Sequence, residues 1–139
     1  MNNLKDKVVV VTGAGSGIGR AIAERFAADG AKIVISDVKE ACAQVAERLN
    51  GSFVQGDLSR RADCKHLIDK TIEQYGTVHV LVNNAGFQHI DPIAEFPEDT
   101  WDTMIALMLT APFLLTKYAW SYMQAQQWGR IINMASVHA

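Results

Sequence analysis

The sequence is poor in cysteine, proline and net charge, and each shortage removes a class of function. Its 139 residues include two cysteines, Cys42 and Cys64. They fall in separate helical patterns without a neighbouring ligand cluster, so neither a disulfide scaffold nor a zinc site is expected, and no metal. Of the three prolines, Pro92 and Pro97 mark one loop, and Pro112 is expected to kink a helix. The formal net charge is only −2. With no basic run and no basic–aromatic interleaving, there is no electrostatic case for nucleic acid. Internal repeats, low-complexity segments and linker-like composition are also missing, so one domain over residues 1–139 is expected. The polar start, Met1 to Lys7, has no long apolar stretch behind it, and no segment reads as long enough to cross a bilayer. The expectation is therefore no leader peptide, no membrane partner and a cytoplasmic location.

What is present is ordinary globular material, 49% hydrophobic and 20% charged, enough to bury a core. Apolar strand-like runs alternate with helical patterns throughout. Val8 to Val11 reads as a fully buried strand. Arg20 to Ala27 reads as a helix with Ile22 and Phe26 on one face, stopped by Asp29-Gly30. Lys32 to Asp37 is a second strand. Lys39 to Leu49 is a helix with Cys42, Val45, Ala46 and Leu49 on its apolar side. Ser52 to Asp57 is a third strand, Arg60 to Tyr75 a helix closed by Gly76, and Val78 to Val82 a fourth strand. A loop from Asn83 to about Asp99 precedes a long helical pattern from Thr100 to about Gln126, and Arg130 to Met134 is a fifth strand. Strict alternation of this kind predicts an α/β doubly wound parallel sheet with right-handed crossovers, strand order 3-2-1-4-5, and ligands over the carboxyl ends of the strands.

The segment Thr12-Gly13-Ala14-Gly15-Ser16-Gly17-Ile18-Gly19 lies between the first strand and the first helix. Strand, glycine-rich turn and helix is the context of a dinucleotide phosphate site. Gly13 permits the tight turn, Gly17 lets backbone approach a pyrophosphate, and Gly19 lets the helix pack closely on the strand. The helix amino terminus then faces the anion. Asp37, 18 residues past Gly19, ends the second strand, where an acid accepts hydrogen bonds from adenosine ribose hydroxyls and repels a 2′-phosphate. Neither Ser16 nor Val38 supplies a positive charge to hold such a phosphate, which favours NAD over NADP. Asp37 could also cap the helix after it. Asp57, followed by Leu58, sits at the same edge, able to contact the adenine; alternatively either Asp57 or Ser59 would cap the next helix. Asn83-Asn84-Ala85-Gly86 follows the fourth strand beside the switch point between strands 1 and 4. Small residues there would let a cofactor lie on backbone, although Asn and Gly also make plain turns.

Together these four motifs, in this order and spacing, resemble the short-chain dehydrogenase/reductase family. The closing Ile131-Ile132-Asn133-Met134-Ala135-Ser136 resembles its fifth strand running into the catalytic serine. The resemblance covers the whole chain. It implies a Rossmann-type domain and hydride transfer between NAD(P) and an alcohol or carbonyl. Gly13, Ser16, Gly17, Ile18, Gly19, Asp37, Asp57, Leu58, Asn84, Ala85 and Gly86 would then hold NAD, and Ser136 would hold the substrate oxygen. Within the family, Asn84 to His89, Glu95-Phe96-Pro97 and Trp128 to His138 are most similar to the bacterial D-3-hydroxybutyrate dehydrogenases. That similarity implies a short 3-hydroxy acid as substrate, with Gln88 and His138 binding its carboxylate. An amide and an imidazole N–H can both do so, the imidazole even when neutral. Away from the resemblance, Ser136, Gln88 and His138 read as loop residues. His89 reads as loop, and His66 and His79 carry no assigned role.

The pattern departs from the family at two places. Met108 stands where an Asn is usual, seven residues past Trp101, and a thioether is a poor substitute in a proton relay. The family's acid/base Tyr-x-x-x-Lys has no counterpart, because Tyr75, Tyr118 and Tyr122 lack a Lys at that spacing. The 139 residues therefore resemble the amino-terminal half of an enzyme, truncated after the fifth strand. By themselves they are expected to be inactive, marginally stable and prone to associate through Ile131 and Ile132 on an open edge. In the complete enzyme the helix of residues 100–126 is expected to form a homo-oligomer contact.

Overall fold

A computed structural model describes residues 4–137. The elements are β1 (Val8–Thr12), α1 (Gly17–Ala28), β2 (Lys32–Asp37), α2 (Ala43–Arg48), β3 (Ser52–Gln55), α3 (Arg61–Tyr75), β4 (Val80–Asn83), α4 (Glu98–Ile105), α5 (Ala111–Ala125) and β5 (Arg130–Asn133). All strand pairs are parallel, in the order β3-β2-β1-β4-β5, as the alternation predicts. β1 lies centrally, with Val10 registered against Val34 of β2 and Leu81 of β4.

The side-chain period of two divides β1 between two layers. Val10, with Val34 and Leu81, packs against Cys64, Leu67 and Ile68 of α3 and against Leu114, Leu115 and Ala119 of α5. Val9 and Val11, with Ile33, Ile35, Val80 and Val82, face Ala23 of α1 and Val45 and Ala46 of α2. Both faces of the sheet are covered, which is why the central strands are apolar at consecutive positions. Full burial of each such side chain stabilises the fold by roughly 1.5–3 kcal/mol. Ile22 and Phe26 pack at the edge of the second layer, as their spacing implies.

Several boundaries differ from the sequence reading. The second helix opens with a 3-10 turn, Glu40–Cys42, before α2. The first helix starts three residues earlier than expected, at Gly17. β3 is cut to four residues, because Gly56 and Asp57 already turn toward α3. The long helix runs from Glu98 to Ala125 and continues through Pro112. A π turn, Ala106–Thr110, precedes α5, and the Ala111 N–H donates to Ala106 O five residues back. Proline at 112 cannot donate to the carbonyl four residues earlier, and the wider turn just before it absorbs that loss without ending the helix.

An 18-residue window of this 28-residue helix reaches a mean hydropathy of 1.2. By length and composition alone it meets the requirement of a bilayer span, which corrects the expectation that no segment is long enough. Its apolar residues divide between two surroundings. Leu114, Leu115, Ala119 and Met123 are buried in the core, whereas Trp101, Leu109, Phe113 and Trp120 are exposed.

Candidate functional site

The carboxyl ends of β1, β2 and β4 converge, and three sets of hydrogen bonds tie their loops together. The Ser36 carbonyl accepts the N–H of Gly13 at 2.8 Å and of Ala14 at 3.3 Å, pinning the glycine loop to β2. Thr12 Oγ1 accepts the N–H of Asn84 at 3.0 Å and of Ala85 at 2.9 Å and donates to Val82 O at 3.4 Å. The Asn84 amide donates to the carbonyls of Thr12 at 3.0 Å and Gly13 at 3.2 Å. The Asn-Asn-Ala-Gly segment is thus an integral wall of the glycine loop.

Two glycines here need left-handed backbone, Gly13 at φ +62° and Gly17 at φ +55°. A Cβ on Gly13 would also lie 2.9 Å from Ala85 Cα, whereas one on Gly17 would meet nothing within 4 Å. Gly17 therefore has open space in front of it, as a backbone meant to approach a ligand requires. Gly19 permits a close approach, but its partners are the Gly13 carbonyl and Asn84 Nδ2. α1 thus packs on its own loop and on the β4 turn at this point, where the sequence reading expected the strand. Ser16 flanks the helix in extended backbone and makes no capping bond with its side chain. Ile18 is exposed, and Gly19 is buried.

A cleft of about 230 Å³ opens between these loops. Gly13, Ser16, Asp37, Asp57, Leu58, Asn84, Ala85 and Gly86 line it, eight of the eleven residues expected to hold a cofactor. Its volume falls below the ~300–1,000 Å³ of drug-sized ligand sites, which suits part of a dinucleotide. Asp37 dominates one rim. Its Oδ2 accepts the Gly15 N–H at 3.0 Å, and its Oδ1 accepts the Lys39 N–H at 3.3 Å. It does not cap a helix: the 3-10 turn is flanked by Lys39 without a side-chain cap. Just past the end of the neighbouring strand β3, Asp57 Oδ1 accepts from both the N–H and the hydroxyl of Ser59, at 3.0 and 2.7 Å. Asp63 Oδ2 reaches back to the Asp57 N–H at 2.8 Å. Asp57 therefore orders the turn before α3 and lines the cleft at once. The residue flanking α3 is Arg60, so neither Asp57 nor Ser59 caps that helix.

Both cysteines are buried and free. Burial, then the adjacent Asp37 carboxylate, pushes the Cys42 thiol up from its ordinary value. Burial pushes Cys64 up to about 11, and its thiol donates to Leu58 O at 3.2 Å. High thiol pKa values leave little reactive thiolate near neutral pH. Among the described residues no group of His, Cys, Asp and Glu could hold a metal ion.

The expected substrate-side residues stand apart from this cleft. Gln88 lies exposed in the loop after β4, and Ser136 lies exposed three residues beyond β5; neither lines the cleft. His138 falls outside the described residues. In the same loop His89 Nε2 pairs with Asp91 Oδ2 at 2.5 Å and packs edge-on against Phe96. Met108 packs over the loop, with its sulfur 3.1 Å from the position of a Cβ on Gly86. At the end of β4, Asn83 Nδ2 donates to Asn133 Oδ1 at 2.8 Å, and the Met134 N–H donates to Asn83 O at 3.0 Å. These bonds fix the direction in which the chain leaves β5 toward Ser136.

Sequence reasoning overlooked Thr12, Ser36, Cys42 and Leu107, of which Ser36 and Leu107 also line the cleft. The legible signal for Thr12 and Ser36 was a small hydroxyl at the carboxyl end of an otherwise apolar strand.

The sequence matches the family described as short chain dehydrogenase over residues 7–139. The chain belongs to that family. Among its curated relatives, an uncharacterized oxidoreductase of Bacillus subtilis, YxjF, is 43% identical over 141 residues, covering 97% of this chain and 55% of that protein. D-beta-hydroxybutyrate dehydrogenase of Cupriavidus necator is 39% identical, with 97% of this chain and 55% of that protein covered. An uncharacterized oxidoreductase of Thermotoga maritima is also 39% identical, over 98% of this chain and 56% of that protein. The chain spans about half the length of the curated relatives it matches. This short-chain dehydrogenase sequence thus comes from an oxidoreductase family that is typically NAD(P)-dependent.

Proposed function

We propose that this chain forms the adenosine-binding part of an NAD-dependent dehydrogenase that, as a whole protein, interconverts (R)-3-hydroxybutyrate and acetoacetate. One observation carries the cofactor half of this reading. Asp37 is held on the cleft rim by two backbone N–H groups, one of them from Gly15 in the glycine loop, which has open space before Gly17. A carboxylate so placed accepts hydrogen bonds from the two ribose hydroxyls and repels a 2′-phosphate. Gly13 to Gly19 would receive the pyrophosphate, and Asp57 and Leu58 would flank the adenine. Leu58 is buried and offers an apolar wall.

Bound NAD supplies the hydride acceptor. Ser136 would donate its hydroxyl proton in a hydrogen bond to the C3 oxygen of the substrate and so hold that oxygen in place. Gln88 and His138 would hold the substrate carboxylate, the substrate class being supported by the 39% identity to a hydroxybutyrate dehydrogenase. Another small alcohol or ketone fits the same family chemistry. A second reading, an NAD-binding module without turnover, is favoured by one observation: neither Gln88 nor Ser136 lines the cleft.

Calorimetry on this chain with NAD, ADP-ribose and NADP tests the cofactor reading. NAD and ADP-ribose should bind alike, because the cleft contacts the adenosine side, and NADP at least tenfold more weakly. Equal binding of NADP would overturn the choice of NAD, and no binding of any of the three would remove the reading. Reduction of NAD by this chain with (R)-3-hydroxybutyrate would refute the module reading.

A further inference from the structure

Gly15 poses a question that its neighbours do not. Gly13 and Gly17 have left-handed backbone, but Gly15 does not, so an L side chain would meet no conformational penalty there. The lack of a side chain at Gly15 is explained by space. A Cβ built on Gly15 would overlap Cys42 Sγ and lie 2.8 Å from Cys42 Cβ and 2.7 Å from Asp37 Oδ2. Real Cβ atoms essentially never come within 3.0 Å of such neighbours. The chain after β2 therefore doubles back through the 3-10 turn Glu40–Cys42 and wedges a buried thiol behind the glycine loop. The same Gly15 donates its N–H to Asp37 Oδ2 at 3.0 Å.

We propose that Gly15 and Cys42 are positioning residues that aim the Asp37 carboxylate, and that this clamp sets the preference for an adenosine with a free 2′-hydroxyl. The inference rests on the cofactor reading above and names the residues behind its selectivity. An aspartate on a strand end can turn about χ1 and χ2. One that turned away would neither accept from the ribose hydroxyls nor repel a 2′-phosphate. Gly15 holds one carboxylate oxygen from the loop side, and Cys42 fills the space in which the loop would otherwise retreat. Discrimination is therefore built in before any ligand arrives.

The test is calorimetry on the full chain with ADP-ribose and 2′-phospho-ADP-ribose, each variant first checked for native far-UV circular dichroism. Gly15→Ala should weaken ADP-ribose about tenfold, the scale of one hydrogen bond to a charged group. It should leave the phosphorylated ligand no weaker, and tighter where repulsion by Asp37 is lost, so that the selectivity ratio falls at least about tenfold. Adding Cys42→Gly to Gly15→Ala should restore part of the ratio by opening space for the new methyl. Cys42→Ser, similar in size, should keep the wild-type ratio. If Gly15→Ala does not fold, Cys42→Gly alone decides: a ratio lowered about threefold supports the clamp, and an unchanged ratio overturns it. Equal weakening of both ligands by Gly15→Ala would mean a merely structural role and also overturns the clamp. Failure of the wild-type chain to bind ADP-ribose would sink the cofactor reading and this inference with it. Wild-type binding that Gly15→Ala leaves unaltered would sink this inference alone.

Discussion

Thr12 Oγ1 sits where three backbone groups meet, two of them donors from the turn after β4. Thr12→Val keeps the shape and removes the acceptor, leaving the N–H groups of Asn84 and Ala85 without it. An unsatisfied buried donor costs about 1–3 kcal/mol. Thr12→Val should therefore lower the free energy of unfolding by about 2–3 kcal/mol in a urea titration, and Thr12→Ser should restore most of the loss. His79 makes a second single-residue prediction. Its Nδ1 accepts the Val8 N–H at 3.0 Å, which requires that nitrogen to be unprotonated. Burial first, then Lys7 and Lys32, lowers its pKa below the ordinary 6.5. The unfolded chain then binds the proton more readily than the folded one. The contribution is fully present above about pH 6.5 and is lost as pH falls toward the lowered folded value. Urea midpoints at pH 8 and pH 5.5 should differ more for the natural chain than for His79→Phe. At this scale the sequence displayed its glycines and Asp37 openly, because their chemistry follows from type and position. The parts played by Thr12, Cys42 and His79 depend on neighbours many residues away, and no local pattern announces them.

The helix from Glu98 to Ala125 shows how much an element can reveal in advance. Its existence and approximate ends were readable from periodicity. The π turn was not, since it answers a missing N–H at Pro112 whose cost depends on how the next turn can adjust. Nor did periodicity show which apolar residues face the core. Leu115 is 1% exposed and Phe113 61% exposed, two positions apart on one helix. Leu115→Ala should cost about 2–5 kcal/mol, by lost transfer and a residual cavity. Phe113→Ala should change stability by no more than about 0.5 kcal/mol. Chemical denaturation of the two variants side by side tests the orientation of α5 on the sheet.

Across the whole molecule, exposed Trp101, Ile105, Leu109, Phe113 and Trp120 run along one helix, while β5 forms one edge of the sheet. A row of exposed apolar side chains of this kind favours association. We predict that the chain self-associates, its apparent mass in sedimentation velocity rising with concentration, and that Phe113→Glu shifts it toward the monomer. A mass independent of concentration would contradict this. Fold class and strand order were the most legible features of all, because alternation with short connections leaves few topologies. The proposed substrate side rests on resemblance alone, since Gln88 and Ser136 are ordinary exposed loop residues.

The stitching of Thr12 to Asn84 and Ala85 joins positions about seventy residues apart. No early local event can form the cleft: β2 and β3 can pair with β1 and still leave it without one wall. Only when β4 arrives beside β1 do the glycine loop and the Asn-Asn-Ala-Gly turn meet, and closing so long a loop is slow compared with forming a helix. In refolding, ligand affinity should therefore appear late, after most of the helical signal has returned. A nucleotide that binds there would select chains already past that closure and draw the remainder after them by mass action.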